Sequence, residues 1–96
     1  MTIELKDNTL TIKGNIKTIQ DFQEIKTNID RLIITQTSIH FVLVDSISMT
    51  SSVIGYISKI IHKNGINVTM VVSNQGLYDL LDELCLIDLF KVRLAS

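Results

Sequence analysis

Two short, nearly continuous apolar runs constrain the fold of this chain more than any other feature. They extend from Ser38 to Val44 and from Ile66 to Val72, and each has the length of a strand rather than of a helix. A run that is apolar at nearly every position is typical of a central strand covered on both faces, as in parallel sheets. The two runs therefore predict a sheet against which helices pack.

Segments with helical spacing of apolar residues alternate with these strands. The first segment has apolar residues at Phe22, Ile25, Ile29, Leu32 and Ile33. It predicts a helix over about 18–34, with Thr18 as the N-cap residue. The second segment has them at Val53, Ile54, Ile57, Ile60 and Ile61. It predicts a helix that ends at Asn64-Gly65, because glycine readily adopts the left-handed conformation.

The two ends of the chain complete the prediction. Ile3–Lys6 and Thr9–Gly14 are expected to form an N-terminal hairpin with a turn at Asp7-Asn8. A third helix is expected to begin at the cap Ser73-Asn74, and Leu89–Leu94 to form a last strand. The apolar face of that helix is predicted at Leu77, Leu80, Leu81, Leu84 and Cys85. The expected fold class is α/β, with a mixed sheet, an N-terminal hairpin and parallel strand–helix–strand units.

Size and charge limit what the chain can do. Its 96 residues predict a single domain, 1–96, and 46% hydrophobic residues suffice for one core. A net charge of −1 argues against nucleic acid as a partner and gives no support for a polybasic membrane surface. No secretory signal and no apolar run of about 20 residues is present, so we expect no membrane insertion and a cytoplasmic location.

Most catalytic and metal-binding classes lack their sequence signatures. No serine lies in a Gly-x-Ser-x-Gly turn, and neither phosphate-binding glycine motif is present. His40, His62 and Cys85 stand singly, without the spacing of metal ligands. Cys85 falls on an apolar helical face, so we expect an inert core thiol. These observations predict a protein that is not an enzyme and that has no cofactor and no metal.

A polar loop after the first apolar run is the candidate site. In open α/β sheets, ligands and partners meet the carboxyl ends of parallel strands. Here Thr50, Ser51 and Ser52 lie at or just before a helix start. Their hydroxyls could serve only to cap the helix. Alternatively one of them could be phosphorylated, because a helix N-terminus favours negative charge while a docked apolar partner does not.

The segment from Asp45 to Ile57 resembles the signature of STAS domains, the family of anti-sigma factor antagonists. The family has an apolar strand, an Asp, a short spacer, Met or Ile, then Asp-Ser-Ser-Gly-Leu-Gly and an apolar helix. Here Met49, Ser51 and Ser52 occupy the matching positions, while Thr50 stands at the acidic position and Val53 at the first glycine. The similarity continues in Lys63–Val68 and in Leu77–Leu81 with Leu86–Phe90. It covers about residues 39–92.

The resemblance implies a non-enzymatic binding module that regulates bacterial transcription. Antagonists of this family capture an anti-sigma factor, a kinase related to the histidine-kinase ATPases, and so release a sigma factor. The kinase phosphorylates the first serine of the pair, which is Ser51 here, and this switches binding off. The implied partner-binding residues are Met49, Thr50, Ser51, Ser52, Val53 and Tyr56.

Two other roles in the same family are open. A STAS domain can bind the ATPase of a lipid-transporting ABC system, where no phosphorylation is needed. It can also assemble with other STAS proteins in a stress-signalling complex. A sigma-factor switch predicts a phosphorylated form at Ser51, and a transporter subunit predicts binding that survives phosphatase treatment.

Overall fold

A computed structural model describes residues 1–95 of the chain. These residues form β1 (Thr2–Lys6), β2 (Thr9–Lys13), α1 (Ile19–Thr35), β3 (Ser38–Val44), α2 (Ser51–Asn64), β4 (Asn67–Val72), α3 (Gln75–Glu83), α4 (Ile87–Phe90) and β5 (Val92–Leu94). The strands make one five-stranded sheet in the order β1-β2-β3-β4-β5. β1 is antiparallel to β2, and all other pairs are parallel. The predicted α/β fold with its hairpin and strand–helix–strand units is confirmed.

Local sequence signals determine where the helices begin and end. The Thr18 side chain accepts a hydrogen bond from the amide of Asp21, whose carboxylate accepts one from the Thr18 amide, a complete capping box. Asn74 caps α3 in a similar way through the amide of Leu77. Gly65 ends α2 with a φ of 65°, a left-handed conformation that favours glycine. The predicted caps at Thr18, Asn74 and Gly65 are confirmed.

The sheet buries one face only. Its parallel strands follow one another in a single direction, so crossovers of one hand place the helices on the same side. Ile39, Phe41 and Leu43 of β3 are at most 1% exposed on that side. Val42 and Val44, on the other side, are only half-buried. β4 likewise alternates buried with exposed or half-buried residues. The expectation that β3 and β4 are covered on both faces is therefore wrong, because the winding never reverses to bring a helix to the second face.

The C-terminal region differs from the expectation in two respects. Helix α3 ends at Glu83, before its apolar pattern ends, and Cys85 has a φ of 59°. Cys85 is exposed instead of buried in the core, and Leu84 is 48% exposed. The predicted strand 89–94 is also shorter, because its first residues belong to α4 and only Val92–Leu94 pair with β4.

Candidate functional site

Three loops meet at the carboxyl ends of the parallel strands. They are the β2–α1 loop (residues 14–18), the β3–α2 loop (residues 45–50) and the β4–α3 loop (residues 73–74). Adjacent strands place them side by side, since β2, β3 and β4 are neighbours in the sheet. The central loop is the longest of the three, and it contains the residues to which the sequence pointed.

Hydrogen bonds fasten the central loop to its two neighbours. The buried Ser46 hydroxyl donates to the Gly14 carbonyl at 2.6 Å. The Ile47 amide donates to Asn15 Oδ1 at 3.1 Å, and the Asp45 amide donates to Ser73 Oγ at 2.9 Å. A loop with such anchors has little conformational freedom left to lose when a partner docks, so this surface is preorganised.

Two of the predicted partner-binding residues lie in the core. Met49 is 7% exposed and Val53 is 1% exposed. Both belong to the same buried cluster as the sheet residues of β3 and β4. Their side chains therefore position the loop and the first turn of α2, while the surface above them is made by their neighbours.

The three hydroxyls at the start of α2 have different roles. Thr50 is the N-cap residue, and its side chain accepts a hydrogen bond from the Val53 amide at 3.4 Å. Ser51 and Ser52 are the first two residues of the helix, and both are exposed. The capping interpretation thus accounts for Thr50 and leaves two serine hydroxyls at the surface of a helix N-terminus.

A cleft opens beside Ser52, between the starts of α1 and α2. Its volume is about 360 Å³, and it is lined by Lys17, Thr18, Ile19, Phe22, Gln23, Thr50 and Ser52. Ile19 is 72% exposed here, and Ile47 in the β3–α2 loop is 57% exposed. Ile19 thus adds an exposed apolar side chain to a cleft whose other lining residues are mostly polar.

Tyr56, the last predicted binding residue, joins α2 to α1. Its hydroxyl donates a hydrogen bond to Asp30, which also accepts one from Lys26 Nζ at 2.9 Å. The ring meets Phe22 edge-to-face with 6.2 Å between ring centroids. Lys59 Nζ lies 5.7 Å from the centroid of the Tyr56 ring, within the range of a cation–π contact.

These contacts shift the ionisation of the pair. Burial is the main reason that the pKa of Tyr56 lies above its ordinary value of 10.0, and Asp30 raises it further. The hydrogen bond from Tyr56 is the main reason that the pKa of Asp30 lies below 3.8. Tyr56 is therefore protonated and Asp30 ionised at neutral pH, and Tyr56 is held in place behind the cleft.

Several residues of this surface were not predicted from the sequence. Ile19 and Phe22 belong to α1, so only tertiary packing places them beside α2. Ile47 carried a partial signal, since it is one of two apolar residues in a polar loop, the other being the buried Met49. The anchor Ser46 carried none, because a buried serine looks like any loop serine until its partner is known.

Comparisons with protein-family models, with curated proteins and with solved structures found no match for this chain. Within residues 1–95, no helix has both the length and the apolar character needed to cross a bilayer. Nor do these residues bring three His, Cys, Asp or Glu side chains together in a group that could hold a metal ion.

Proposed function

We propose that this chain is an anti-sigma factor antagonist of the STAS type, a binding module without catalytic activity of its own. In the bacterial cytoplasm it would capture an anti-sigma factor that is also a serine kinase, and so release a sigma factor. Phosphorylation of Ser51 would end the interaction. The alternative partner is the ATPase of a lipid-transport ABC system, or a further STAS protein of a stress-signalling assembly.

The observation that carries the proposal is the separation of roles at the start of α2. Thr50 caps the helix, so Ser51 is not needed for that purpose and its side chain is open to solvent. A phosphoryl group on Ser51 would stand at the first helical residue, where free amides and the helix dipole stabilise negative charge. Phosphorylation at this place is compatible with the folded domain.

The same group would oppose a docked partner. Ile19 is an exposed apolar side chain in the cleft beside Ser52, and Ile47 is another in the loop before α2. We expect a partner that docks on both of them to cover Ser51 as well. Lys17 lines the cleft beside Ser52, so a partner opposes the phosphate only where it encloses that group away from this cation. Burying an uncompensated charge in that way costs several kcal/mol. Since each 1.4 kcal/mol corresponds to about tenfold in affinity, the partner would be released while the domain stays folded.

The test compares two variants that add the same charge at different places. Ser51→Asp adds it at the site, and Thr37→Asp adds it at an exposed position just before β3, at the amino ends of the parallel strands and so far from the β3–α2 loop. Tagged wild type and both variants are used to capture proteins from the bacterial cytoplasm, followed by mass spectrometry. We expect wild type and Thr37→Asp to retain a histidine-kinase-like ATPase, and Ser51→Asp to bind it at least about tenfold more weakly.

A second measurement separates the alternatives. The captured kinase is incubated with ATP and the domain, and the phosphorylated residue is mapped; we expect Ser51, and no product with Ser51→Ala. Capture of an ABC ATPase by all three proteins alike would instead identify a transporter subunit. Capture of other STAS proteins would identify the assembly, and equal retention of the kinase by Ser51→Asp would refute the switch.

A further inference from the structure

Strand β1 forms one edge of the sheet and alternates charged with apolar residues. β2 lies on one side of it, and within residues 1–95 no strand pairs with the other side. Ile3 and Leu5 lie on the helix-bearing face, because their partners on β2 are core residues. Glu4 and Lys6 lie on the open face. Leu5 is 42% exposed, although it is on the side of the sheet that carries the core.

The hydrogen bonds between β2 and β3 show which backbone groups of β2 point to which neighbour. The His40 amide donates to the Asn8 carbonyl at 2.9 Å, and the Gly14 amide donates to the Val44 carbonyl at 2.8 Å. In a parallel pair, alternate residues of a strand bond to the same neighbour. The even-numbered residues of β2 therefore bond to β3, and its odd-numbered residues bond to β1.

The outward backbone groups of β1 follow from this assignment. The odd-numbered residues of β2 have Thr2, Glu4 and Lys6 as their partners in the register. The N–H and C=O groups of Ile3 and Leu5 consequently point away from the sheet. Such an edge is a template for another strand unless something covers it.

We propose that a second copy of this chain pairs with the β1 edge, antiparallel, about a two-fold axis at Leu5. Residues directly opposite each other in an antiparallel pair lie on the same face. Leu5 would then face Leu5 of the second copy on the helix-bearing side. On the open side, Glu4 of each copy would face Lys6 of the other. The two five-stranded sheets would become one continuous sheet with closed two-fold symmetry.

The charges of Glu4 and Lys6 favour an axis at Leu5 over an axis at Glu4 or at Ile3. An axis at Glu4 would place the two Glu4 carboxylates directly opposite each other, and like charges in that position destabilise a strand pair. An axis at Ile3 would leave Lys6 without an opposite charge, and Glu4 with only the ion pair that it forms with Lys13 of its own chain at 3.7 Å. The axis at Leu5 forms two pairs of opposite charge and also covers the exposed leucine side chain.

The other edge of the sheet is less suited to self-pairing. β5 has only 3 residues, with Arg93 at its centre and Lys91 immediately before it. Pairing β5 with itself in full overlap would oppose the two Arg93 side chains. Pairing β5 with β1 of another copy would leave an open edge at each end and produce chains of molecules instead of a closed dimer. The proposed dimer also leaves the β3–α2 loop uncovered, because Leu5 lies near the opposite ends of the parallel strands.

The first test measures mass and amide exchange as a function of concentration. A short edge contact buries less than the roughly 1,600 Å² of a standard interface, so the dimer is expected to form between micromolar and millimolar concentration. Sedimentation equilibrium should show twice the monomer mass, and hydrogen exchange of the Leu5 amide should slow as the dimer forms. The Glu4 amide, which bonds to β2, serves as the internal control. A monomer throughout this range, or slowed exchange at Val92 and Leu94 instead, would overturn the proposal.

The second test reverses the charges. Glu4→Lys and Lys6→Glu each turn two attractive pairs into two repulsive ones, and each should weaken the dimer at least about tenfold. An equal mixture of the two variants should recover it, since every introduced charge then faces its opposite. Glu24→Lys, an exposed change of the same kind on α1, is the control and should behave as wild type. Unaltered dimers of both single variants, or no recovery in the mixture, would contradict the proposed register; circular dichroism verifies that each variant is folded.

Discussion

The β3–α2 loop has two layers of side chains in opposite surroundings. Ser46, Met49 and the first turn residue Val53 are buried, each at most 7% exposed, and they fasten the loop to the core and to the β2–α1 loop. Ile47 and Ser51 face solvent on the other side of the same backbone. The loop therefore separates the residues that maintain its shape from those that a partner can touch. Stability and binding should respond to different substitutions, although the residues are adjacent in sequence.

The largest expected contrast is between Met49 and Ile47. Met49→Ala removes a buried side chain from the core and should lower the free energy of unfolding by about 2–5 kcal/mol. Ile47→Ala removes a side chain that is 57% exposed and should change it by no more than about 0.5 kcal/mol. Urea unfolding of the two variants measures both values. Similar losses would mean that the two layers are not separate.

A smaller contrast is expected between Thr50 and Ser51. Thr50→Ala removes the side chain that caps α2 and should lower the free energy of unfolding by about 1 kcal/mol. Ser51→Ala replaces an exposed helical residue with alanine, the best helix former. It should leave the free energy of unfolding unchanged or raise it by a few tenths of a kcal/mol at most. Thermal unfolding under one set of conditions is sufficient to compare them. A loss on Ser51→Ala as large as that on Thr50→Ala would show that Ser51 has a structural role.

The smallest expected effect concerns Tyr56 behind the cleft. The pKa of Asp30 is below 3.8 in the folded protein, so this carboxylate stabilises the fold above that pH and ceases to do so as the pH falls through its lowered pKa. Tyr56→Phe removes the main cause of the shift. The difference in free energy of unfolding between wild type and Tyr56→Phe should therefore shrink on acidification. This difference should be modest even at neutral pH, because the Asp30 side chain is 41% exposed.

The measurement is urea unfolding of wild type and Tyr56→Phe between neutral pH and about pH 3. Tyr78→Phe provides the matched control, since Tyr78 is a half-buried tyrosine on α3. Its difference from wild type should stay constant over this range. A pH-independent difference for Tyr56→Phe would show that its contact with Asp30 does not govern the ionisation of that carboxylate.

Much of the fold was predictable from local signals. The capping box at Thr18 and the left-handed Gly65 act over a few residues, so the sequence displays them directly. The end of α3 was not predictable, because Leu84 and Cys85 continue the apolar spacing of that helix. The spacing of apolar residues indicates which face of a continued helix would meet the core. It does not indicate the residue at which the helix ends.

The candidate site was predictable only in part. The sequence indicated the correct loop, since three hydroxyls before an apolar helix identify a helix start. It could not show which of the three caps the helix, because Thr, Ser and Asp all serve as caps and the choice depends on the backbone of the first turn. Val53 belongs to the predicted apolar face of α2, but the core position of Met49 was not predictable, because an apolar residue in a polar loop has no periodicity to indicate its face.

The sequence by itself determined the alternation of strands and helices, the hairpin and the helix caps, because these depend on side-chain spacing and on hydrogen bonds within a few residues. Tertiary structure alone decided that the strands follow one another in a single direction, which leaves one face of the sheet open and β1 at its edge. It also decided that Ile19 of α1 lies beside Ser52 of α2. Such long-range neighbours depend on strand order and register, and no local interaction encodes them.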